Sequence, residues 1–284
     1  MAIARHGDGV RADLAALASQ VHPVFMLPPV AASAFGAVLA GEFSVPLALL
    51  HMVTAFFALY TAHVKDGYVD FHVRGEDNDH PLSAAGCRRT LAGSSVLFFL
   101  GTTAIAVLVG PTAALLTLPG WVIGYLHAPQ LDMNPVTATT GYPLGIGFAL
   151  VSGHYVQAES VSPTVLGFAV VFVAVLSGIK VIDDAKDYEY DRSISKRTVA
   201  VVLGRERART TAYLLMATGM VVVCALAVLT PVFPPGSVLA VAAFAAIALL
   251  TRRMDAEHTT MVLIRGSYVF LALLVVAVWF RPFQ

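Results

Sequence analysis

Charged side chains are scarce in this chain. Only 13% of its 284 residues are Asp, Glu, Lys or Arg, whereas 57% are hydrophobic. A soluble domain carries roughly 25% charged residues, about twice that share. The scarcity of charge therefore excludes an ordinary soluble domain and predicts a membrane protein with several spans.

Cysteine is scarce as well, and the chain carries no net charge. The two cysteines give no disulfide framework, because Cys87 lies in a charged segment and Cys224 inside an apolar run. The formal net charge is zero, which argues against nucleic acid as a partner. Residues 1–20 are polar and lack the basic-then-apolar pattern of a signal peptide. We therefore expect residues 1–21 to form a short cytoplasmic lead-in.

Long apolar runs dominate the rest of the chain. A spanning helix needs about 20 predominantly apolar residues, and nine such runs follow the lead-in. They predict an all-α membrane bundle of nine transmembrane helices around a central cavity, in a single transmembrane domain over residues 22–284. The predicted spans are 22–41, 43–64, 91–110, 112–130, 138–157, 162–182, 210–230, 235–251 and 261–280.

Basic residues are distributed unequally between the connections. If the N-terminus is cytoplasmic, the lead-in and the connections after the even-numbered spans carry nearly all Lys and Arg, and Arg281 lies on the opposite side. Positively charged connections tend to stay in the cytoplasm. We therefore predict a multi-pass cell-membrane protein with a cytoplasmic N-terminus. Its two long charged connections, 65–90 and 183–209, are predicted to be cytoplasmic too.

The connection at 183–209 begins with a run of acidic side chains. If the preceding helix continues through this run, Asp184, Asp187 and Asp191 stand at i, i+3 and i+7, on one face of the helix. Like charges on one stripe repel, but a hard divalent cation prefers several carboxylate oxygens. The alternative interpretation is a solvated acidic helix end beside a basic loop.

The connection at 65–90 carries a second pair of carboxylates, Asp66 and Asp70, at i and i+4. Ionisable groups at membrane depth are candidates for function. Two such clusters facing each other across a cavity would hold Mg²⁺, which binds through a few carboxylates together with substrate phosphate oxygens. Nearby basic residues would then bind a diphosphate. These basic residues are Arg88, Arg89, Lys186, Lys196 and Arg197.

The chemistry that such a site indicates is ionisation of an allylic diphosphate. Metal ions and cationic side chains stabilise the charge that develops on the diphosphate leaving group. Apolar helices, surrounded by membrane lipids, would hold the isoprenoid tail, and aromatic side chains can shield a carbocation.

The second acidic run resembles a motif of the UbiA superfamily of intramembrane prenyltransferases. The family's Asp-x-x-Asp-x-x-x-Asp matches Asp184, Asp187 and Asp191. A Gly-Lys-Arg-Thr-type run and a Val-Arg-Leu-Gly-like end follow in the family. This chain has Ser195-Lys196-Arg197-Thr198 and Val201-Val202-Leu203-Gly204 at those places. Together with the nine predicted spans, the resemblance covers nearly the whole chain.

The resemblance implies Mg²⁺-dependent transfer of a prenyl group from a prenyl diphosphate to a lipid-soluble acceptor. It implies that catalysis and metal binding belong to Asp66, Asp70, Asp184, Asp187 and Asp191. The residues expected to bind the substrates are Arg74, Arg88, Lys186, Lys196, Arg197, Tyr125 and His127. The last two belong to Tyr125-Leu126-His127-Ala128-Pro129-Gln130, which is similar to the family's Tyr-Ser-x-Pro-Pro segment.

The first acidic run departs from the family's pattern, Asn-Asp-x-x-Asp-x-x-x-Asp. This chain has Asp66, Gly67, Asp70 and Arg74 at the four fixed positions. Two carboxylates remain, and Arg74 could contact phosphate instead of supporting a metal. His22-Pro23 also stands where many members carry a basic residue before the proline. These departures leave the acceptor unidentified.

Two other interpretations remain open. An intramembrane terpene cyclase would ionise the same diphosphate but quench the cation internally, without an external acceptor. A transporter would also combine broken helices with acidic clusters, although transporter sites usually lie near the bilayer midplane. The carboxylates of this chain lie instead at one end of the predicted spans.

Overall fold

The computed structural model describes residues 3–281, and these residues fold almost entirely into helices. Within this part of the chain there is no strand, only an isolated β-bridge between Ala4 and Leu82. The all-α prediction is confirmed for these residues. The α-helices are α1 (Val10–Ala18), α2 (Pro23–Leu39), α3 (Val45–Gly67), α4 (Ala84–Leu108), α5 (Pro111–Leu126), α6 (Pro135–Ala158), α7 (Pro163–Asp184), α8 (Tyr188–Ser193), α9 (Val199–Leu203), α10 (Arg205–Leu229), α11 (Ser237–Thr251) and α12 (Ala256–Phe280). Two short π-helices cover Tyr68–Arg74 and His127–Leu131.

Each predicted span contains a helix, but the helices differ in length and apolar character. Among residues 3–281, five stretches are long and apolar enough to cross a membrane. They are Val45–Arg74, Ala84–Leu108, Pro163–Asp184, Arg205–Leu229 and Glu257–Phe280. Helices α1 and α2 would add a sixth span, bent by 69°, whereas α11 has only 15 residues. The chain is thus a multi-pass membrane protein, and the number of nine spans stays a prediction.

The chain divides into two compact units. The first comprises the described residues up to Leu131 together with Gly145–Val161, and the second comprises Asp132–Leu144 and the described residues from Ser162 onward. Helix α6 contributes to both units. The single transmembrane domain over residues 22–284 therefore stays a prediction.

Glycine allows α7 and α10 to pack closely in the second unit. A Cβ atom at Gly178 would lie 2.5 Å from the carbonyl oxygen of Ala212, and one at Gly219 would lie 2.7 Å from Val175 Cγ2. Small residues at helix contacts are typical of membrane proteins, because they let two backbones approach. This contact fixes the last turns of α7, which end at Asp184.

Candidate functional site

The second acidic cluster (Asp183, Asp184, Asp187 and Asp191) lies where α7 ends and α8 begins. Helix α7 ends at Asp184, a turn covers residues 185–187, and α8 follows. The condition under which the three aspartates share one helix face is therefore not met. Asp187 has φ −93° and ψ 15°, outside α-helical geometry. The break replaces a single helical stripe of carboxylates with a turn between two helices.

Backbone hydrogen bonds keep the cluster together across this break. The amide of Asp187 donates to the carbonyl of Asp184 at 3.3 Å, and the amide of Asp191 donates to the carbonyl of Asp187 at 2.8 Å. The carboxylates of Asp184 and Asp187 both act electrostatically on Asp191. The turn thus preserves the proximity that the sequence predicted, by a different geometry.

Asp184 is a buried carboxylate with one satisfied oxygen. Its side chain is 7% exposed, and Lys180, one turn earlier in α7, donates to its Oδ1 at 2.5 Å. Its Oδ2 is buried and has no hydrogen-bond partner among the described residues. A buried carboxylate oxygen without a partner costs free energy unless a donor or a cation binds it. This oxygen therefore fits the role of a metal ligand.

Asp191 is the other buried carboxylate of the cluster. Burial raises the pKa of Asp191 above its usual range, and the charges of Asp184 and Asp187 add to the increase. Lys196, 3.7 Å away, and a hydrogen bond with Thr198 act in the opposite direction. A divalent cation beside Asp191 would stabilise its ionised form, because opposite charge favours the charged state.

The basic residues around this cluster form ion pairs with its carboxylates to different degrees. Lys186 lies 2.6 Å from Asp183, so its ammonium group pairs with a carboxylate, and Lys196 lies 3.7 Å from Asp191. Arg197 is exposed. Sequence reasoning missed Lys180 as a member of the cluster, although its i, i+4 spacing to Asp184 was a signal for this pair.

The first acidic cluster (Asp66, Asp70, Arg74 and Glu76) lies in the first unit, where α3 passes into the first π-helix. The predicted α-helical face that joins Asp66 and Asp70 is replaced by this wider helix, which begins at Tyr68. It ends before Gly75, whose φ of 67° favours glycine. Short π-helical turns often occur at functional sites.

Arg74 pairs with the carboxylates of this cluster. Its Nη1 lies 3.4 Å from Asp70 Oδ1 and 3.7 Å from Glu76 Oε1. The amide of Glu76 donates to the carbonyl of Asp70 at 2.7 Å, which holds both acids near the guanidinium group. Arg74 therefore neutralises charge at the position where the family's pattern has its last aspartate. The phosphate contact expected of Arg74 stays a prediction.

The two residues expected from the Tyr125–Gln130 segment lie beside the end of α3. His127 Nε2 is 3.9 Å from Asp66 Oδ1. Lys65 Nζ lies 4.8 Å from the centre of the Tyr125 ring, within the range of a cation–π contact. Arg88, the remaining residue expected to bind substrate, is exposed near the start of α4.

Gly67 has a structural reason to be glycine. A Cβ atom at this position would lie 2.5 Å from Nε2 of His80, a buried residue of the connection between the first π-helix and α4. An aspartate, as in the family's pattern, would collide with the imidazole ring. Burial lowers the pKa of His80, which favours its neutral form.

The lead-in docks on this same connection, a contact that the sequence did not indicate. The amide of Arg5 donates to the carbonyl of Pro81 at 2.8 Å, and the amide of Ser83 donates to the carbonyl of Ile3 at 3.0 Å. Asp79 accepts hydrogen bonds from both Arg5 and His6 at 2.8 Å. The hydrogen bond from His6 lowers the pKa of Asp79. Asp79 therefore anchors the lead-in.

Apolar spanning helices with carboxylate clusters at two helix ends define a class of multi-pass membrane protein with candidate metal sites. The model of the UbiA prenyltransferase family matches residues 26–274. The chain belongs to this family. It therefore has the fold of a membrane prenyltransferase, and the resemblance drawn from the motifs is confirmed.

Solved structures of the same fold cover nearly all of the chain. A solved structure described as digeranylgeranylglyceryl phosphate synthase in membranes superposes on this chain with a TM-score of 0.71. The identity is 16%, over 93% of this chain and 99% of that one. A UbiA homologue from Archaeoglobus fulgidus, bound to DMAPP and Mg²⁺, gives 0.67 at 16% identity over 93% and 99%. The apo UbiA homologue from Aeropyrum pernix K1 gives 0.64 at 16% identity over 90% and 97%. A search of curated protein sequences gave no significant match.

Proposed function

We propose that this protein is a Mg²⁺-dependent membrane prenyltransferase, which ionises a prenyl diphosphate and transfers the prenyl group to a lipid-soluble acceptor. The observation that carries the proposal is the buried, unpartnered Oδ2 of Asp184 within the second acidic cluster. Family membership supports it. So do the Archaeoglobus fulgidus homologue structures, which hold DMAPP or GPP together with Mg²⁺.

The residues proposed to hold Mg²⁺ in the second unit are Asp184, Asp187 and Asp191. In the first unit the motif resemblance assigns the same role to Asp66 and Asp70. When bound, the metal supplies positive charge that stabilises the diphosphate leaving group. Lys180 positions this ligand set, since its bond to Asp184 Oδ1 leaves Oδ2 as the oxygen available for a cation.

Cationic side chains of the protein would assist bond breaking by binding the diphosphate. The bond between the prenyl carbon and the diphosphate oxygen breaks, and its electron pair leaves with the diphosphate. Cationic groups near this oxygen lower the barrier because they bind the leaving group more tightly as its charge develops. The acceptor then attacks the allylic cation and loses a proton. We assign the diphosphate contacts to Lys196, Arg197, Lys186, Arg88 and Arg74, and contacts with the substrates to Tyr125 and His127.

One observation supports a second candidate, an intramembrane terpene cyclase. Arg74 replaces a carboxylate of the family's first motif and pairs with Asp70 at 3.4 Å. This change alters the charge of the first acidic cluster. A cyclase would perform the same ionisation and then quench the cation within the same molecule, so that no acceptor would be consumed.

Product analysis separates the two candidates. Purified protein in lipid nanodiscs is supplied with Mg²⁺ and radiolabelled geranyl, farnesyl or geranylgeranyl diphosphate, with and without quinone or phenolic acceptors and total lipid extract. A larger lipid product that forms only with acceptor supports transfer. A cyclic hydrocarbon or alcohol formed equally well without acceptor supports the cyclase. If no diphosphate is released under any condition, both candidates are wrong.

A further inference from the structure

Two histidines and a cysteine meet in the first unit, outside both acidic clusters. His72 lies in the first π-helix, His80 in the connection that follows, and Cys87 in the first turn of α4. One donor atom from each lies within 4.8 Å of the donor atoms of the other two. His80 and Cys87 are buried. This cluster brings together three separate segments of the chain.

Three distances in this cluster are close to the donor spacing of a tetrahedral metal site in which a backbone oxygen is the fourth donor. The carbonyl oxygen of Leu82 lies 3.2 Å from His72 Nε2 and 3.2 Å from His80 Nδ1. Cys87 Sγ lies 3.9 Å from His80 Nδ1. Zinc bonds of about 2.0–2.1 Å to nitrogen and about 2.3 Å to sulfur place neighbouring donors of a tetrahedron about 3.3–3.6 Å apart. Movements of a few tenths of an ångström would close these three contacts on an ion.

We propose that His72, His80 and Cys87, with the carbonyl oxygen of Leu82, form a structural zinc site. Imidazole and thiolate are borderline and soft donors, a set that selects zinc over Mg²⁺, whose preferred ligands are carboxylate, carbonyl and water oxygens. The site is therefore chemically distinct from both acidic clusters. It does not depend on the proposed prenyl transfer.

Zinc would replace hydrogen bonds that now satisfy the same atoms. The amide of Leu82 donates to His80 Nδ1 at 3.2 Å, and this bond occupies the lone pair that the metal needs. Cys87 would lose its proton to become a thiolate ligand, and this proton goes to solvent. The gain is a cross-link that ties the first π-helix to the start of α4. Because Asp70 lies two residues before His72, the ion would also hold Asp70 of the first acidic cluster in place.

Glycine and the lead-in shape the surroundings of this site. The His80 ring occupies the space that a side chain at position 67 would fill. Ile3 and Ser83 hydrogen-bond beside it, and Leu82 is fully buried. His80 and Cys87 are buried and His72 is partly exposed. Coordination by protein donors alone is typical of structural zinc.

Zinc content and cobalt spectroscopy test the proposal. The full chain is purified without a polyhistidine tag, equilibrated with zinc, desalted and analysed by mass spectrometry of the metal. We expect about one zinc per chain in the wild type, and an affinity lower by at least about 100-fold in Cys87→Ser and in His72→Gln. Cys224→Ser is the matched control, because Cys224 lies in α10 of the second unit, and it should retain zinc fully.

Cobalt reports whether the thiolate is a ligand. Substitution with Co²⁺ should give a thiolate-to-metal charge-transfer band in the wild type and in Cys224→Ser, and no such band in Cys87→Ser. Zinc should also raise the Tm of the wild type and leave that of Cys87→Ser unchanged. The melting transition of Cys87→Ser shows in the same experiment that this variant is folded. Folded wild-type protein without stoichiometric zinc, or zinc that persists in Cys87→Ser, overturns the proposal. A loss of Mg²⁺-dependent diphosphate release in zinc-loaded protein concerns the proposed function and leaves this site unaffected.

Discussion

Lys180 neutralises Asp184, a buried carboxylate of the second acidic cluster. It lies 2.5 Å from Asp184 and 3.6 Å from Asp183, and all three side chains are less than one-third exposed. Removal of one member of a buried ion pair leaves an uncompensated charge, which costs far more than the loss of a surface pair. The residue therefore stabilises the apo cluster and holds Asp184 in one orientation.

The change Lys180→Met should lower the free energy of unfolding in the absence of divalent metal by about 2 kcal/mol, between the values for surface and buried pairs. Mg²⁺ should restore most of this loss, since it supplies the missing positive charge. Thermal unfolding with and without Mg²⁺ measures both effects. The matched control is Lys186→Met, whose ammonium group pairs with Asp183 near the cluster surface. An equal loss in both variants, with no rescue by Mg²⁺, would contradict the role given to Lys180.

Asp191 should make the effect of Mg²⁺ depend on pH. Its folded-state pKa is raised, so in metal-free protein its stabilising contribution is fully present below its ordinary pKa of about 3.9 and is lost as the pH rises through the folded value. Mg²⁺ competes with this proton. The increase in Tm caused by Mg²⁺ should therefore be small near pH 4 and should grow towards pH 8. Thermal unfolding with and without Mg²⁺, measured at intervals of about half a pH unit, tests this dependence.

The variant Asp191→Asn isolates this contribution. It removes the titrating group, and its Mg²⁺-dependent increase in Tm should change less with pH than that of the wild type. Asp184, Asp187 and Lys196 face the same carboxyl group and supply the remaining slope. The same pH dependence in both proteins would show that Asp191 does not bind the metal.

At the scale of elements, the junction of α3 with the first π-helix depends on one glycine. The space beside Gly67 is filled by His80 Nε2, and the His80 ring is held in place by burial and by its contact with the amide of Leu82. A larger residue must displace the ring, and such overpacking costs about 1–3 kcal/mol. The structure thus explains why this chain lacks an aspartate at this position of the first motif.

The change Gly67→Ala should lower the free energy of unfolding by about 1–3 kcal/mol. Gly93→Ala in α4 is the matched control, because a Cβ atom there meets nothing within 4 Å. It should be neutral or stabilising by up to about 1 kcal/mol, since alanine favours helix over glycine. Chemical denaturation of both variants in the same detergent measures the difference. A Gly67→Ala variant as stable as Gly93→Ala would contradict the packing described here.

At the scale of the whole molecule, the distribution of basic residues makes a prediction about topology. The acidic residue Glu159 belongs to a predicted external connection and Glu189 to a predicted cytoplasmic one, and both side chains are exposed. In a Cys224→Ser background, a membrane-impermeant maleimide should label Glu159→Cys in intact cells and Glu189→Cys only after the membrane is opened. The reverse pattern would invert the orientation derived from the positive-inside rule.

The sequence predicted much of this architecture because long apolar runs depend on local composition alone. It located the ends of α3 and α7, where Asp66 and Asp184 lie, to within a few residues. It failed where contacts distant in the chain decide the backbone. Gly67 leaves the space that His80 fills, and Asp79 anchors the lead-in. The pairing of Lys180 with Asp184 is local, and its helical spacing was visible in the sequence.

Release of diphosphate tests the central claim most directly. Wild-type protein in nanodiscs should release diphosphate from a prenyl diphosphate in the presence of Mg²⁺, and excess EDTA should stop the release. Asp184→Asn should slow it by at least about 100-fold, because one ligand of the proposed metal is lost. Glu189→Gln, the matched control in α8 at an exposed acid outside the metal ligands, should release diphosphate at the wild-type rate. Release that persists in EDTA, or that is unchanged in Asp184→Asn, would contradict the account.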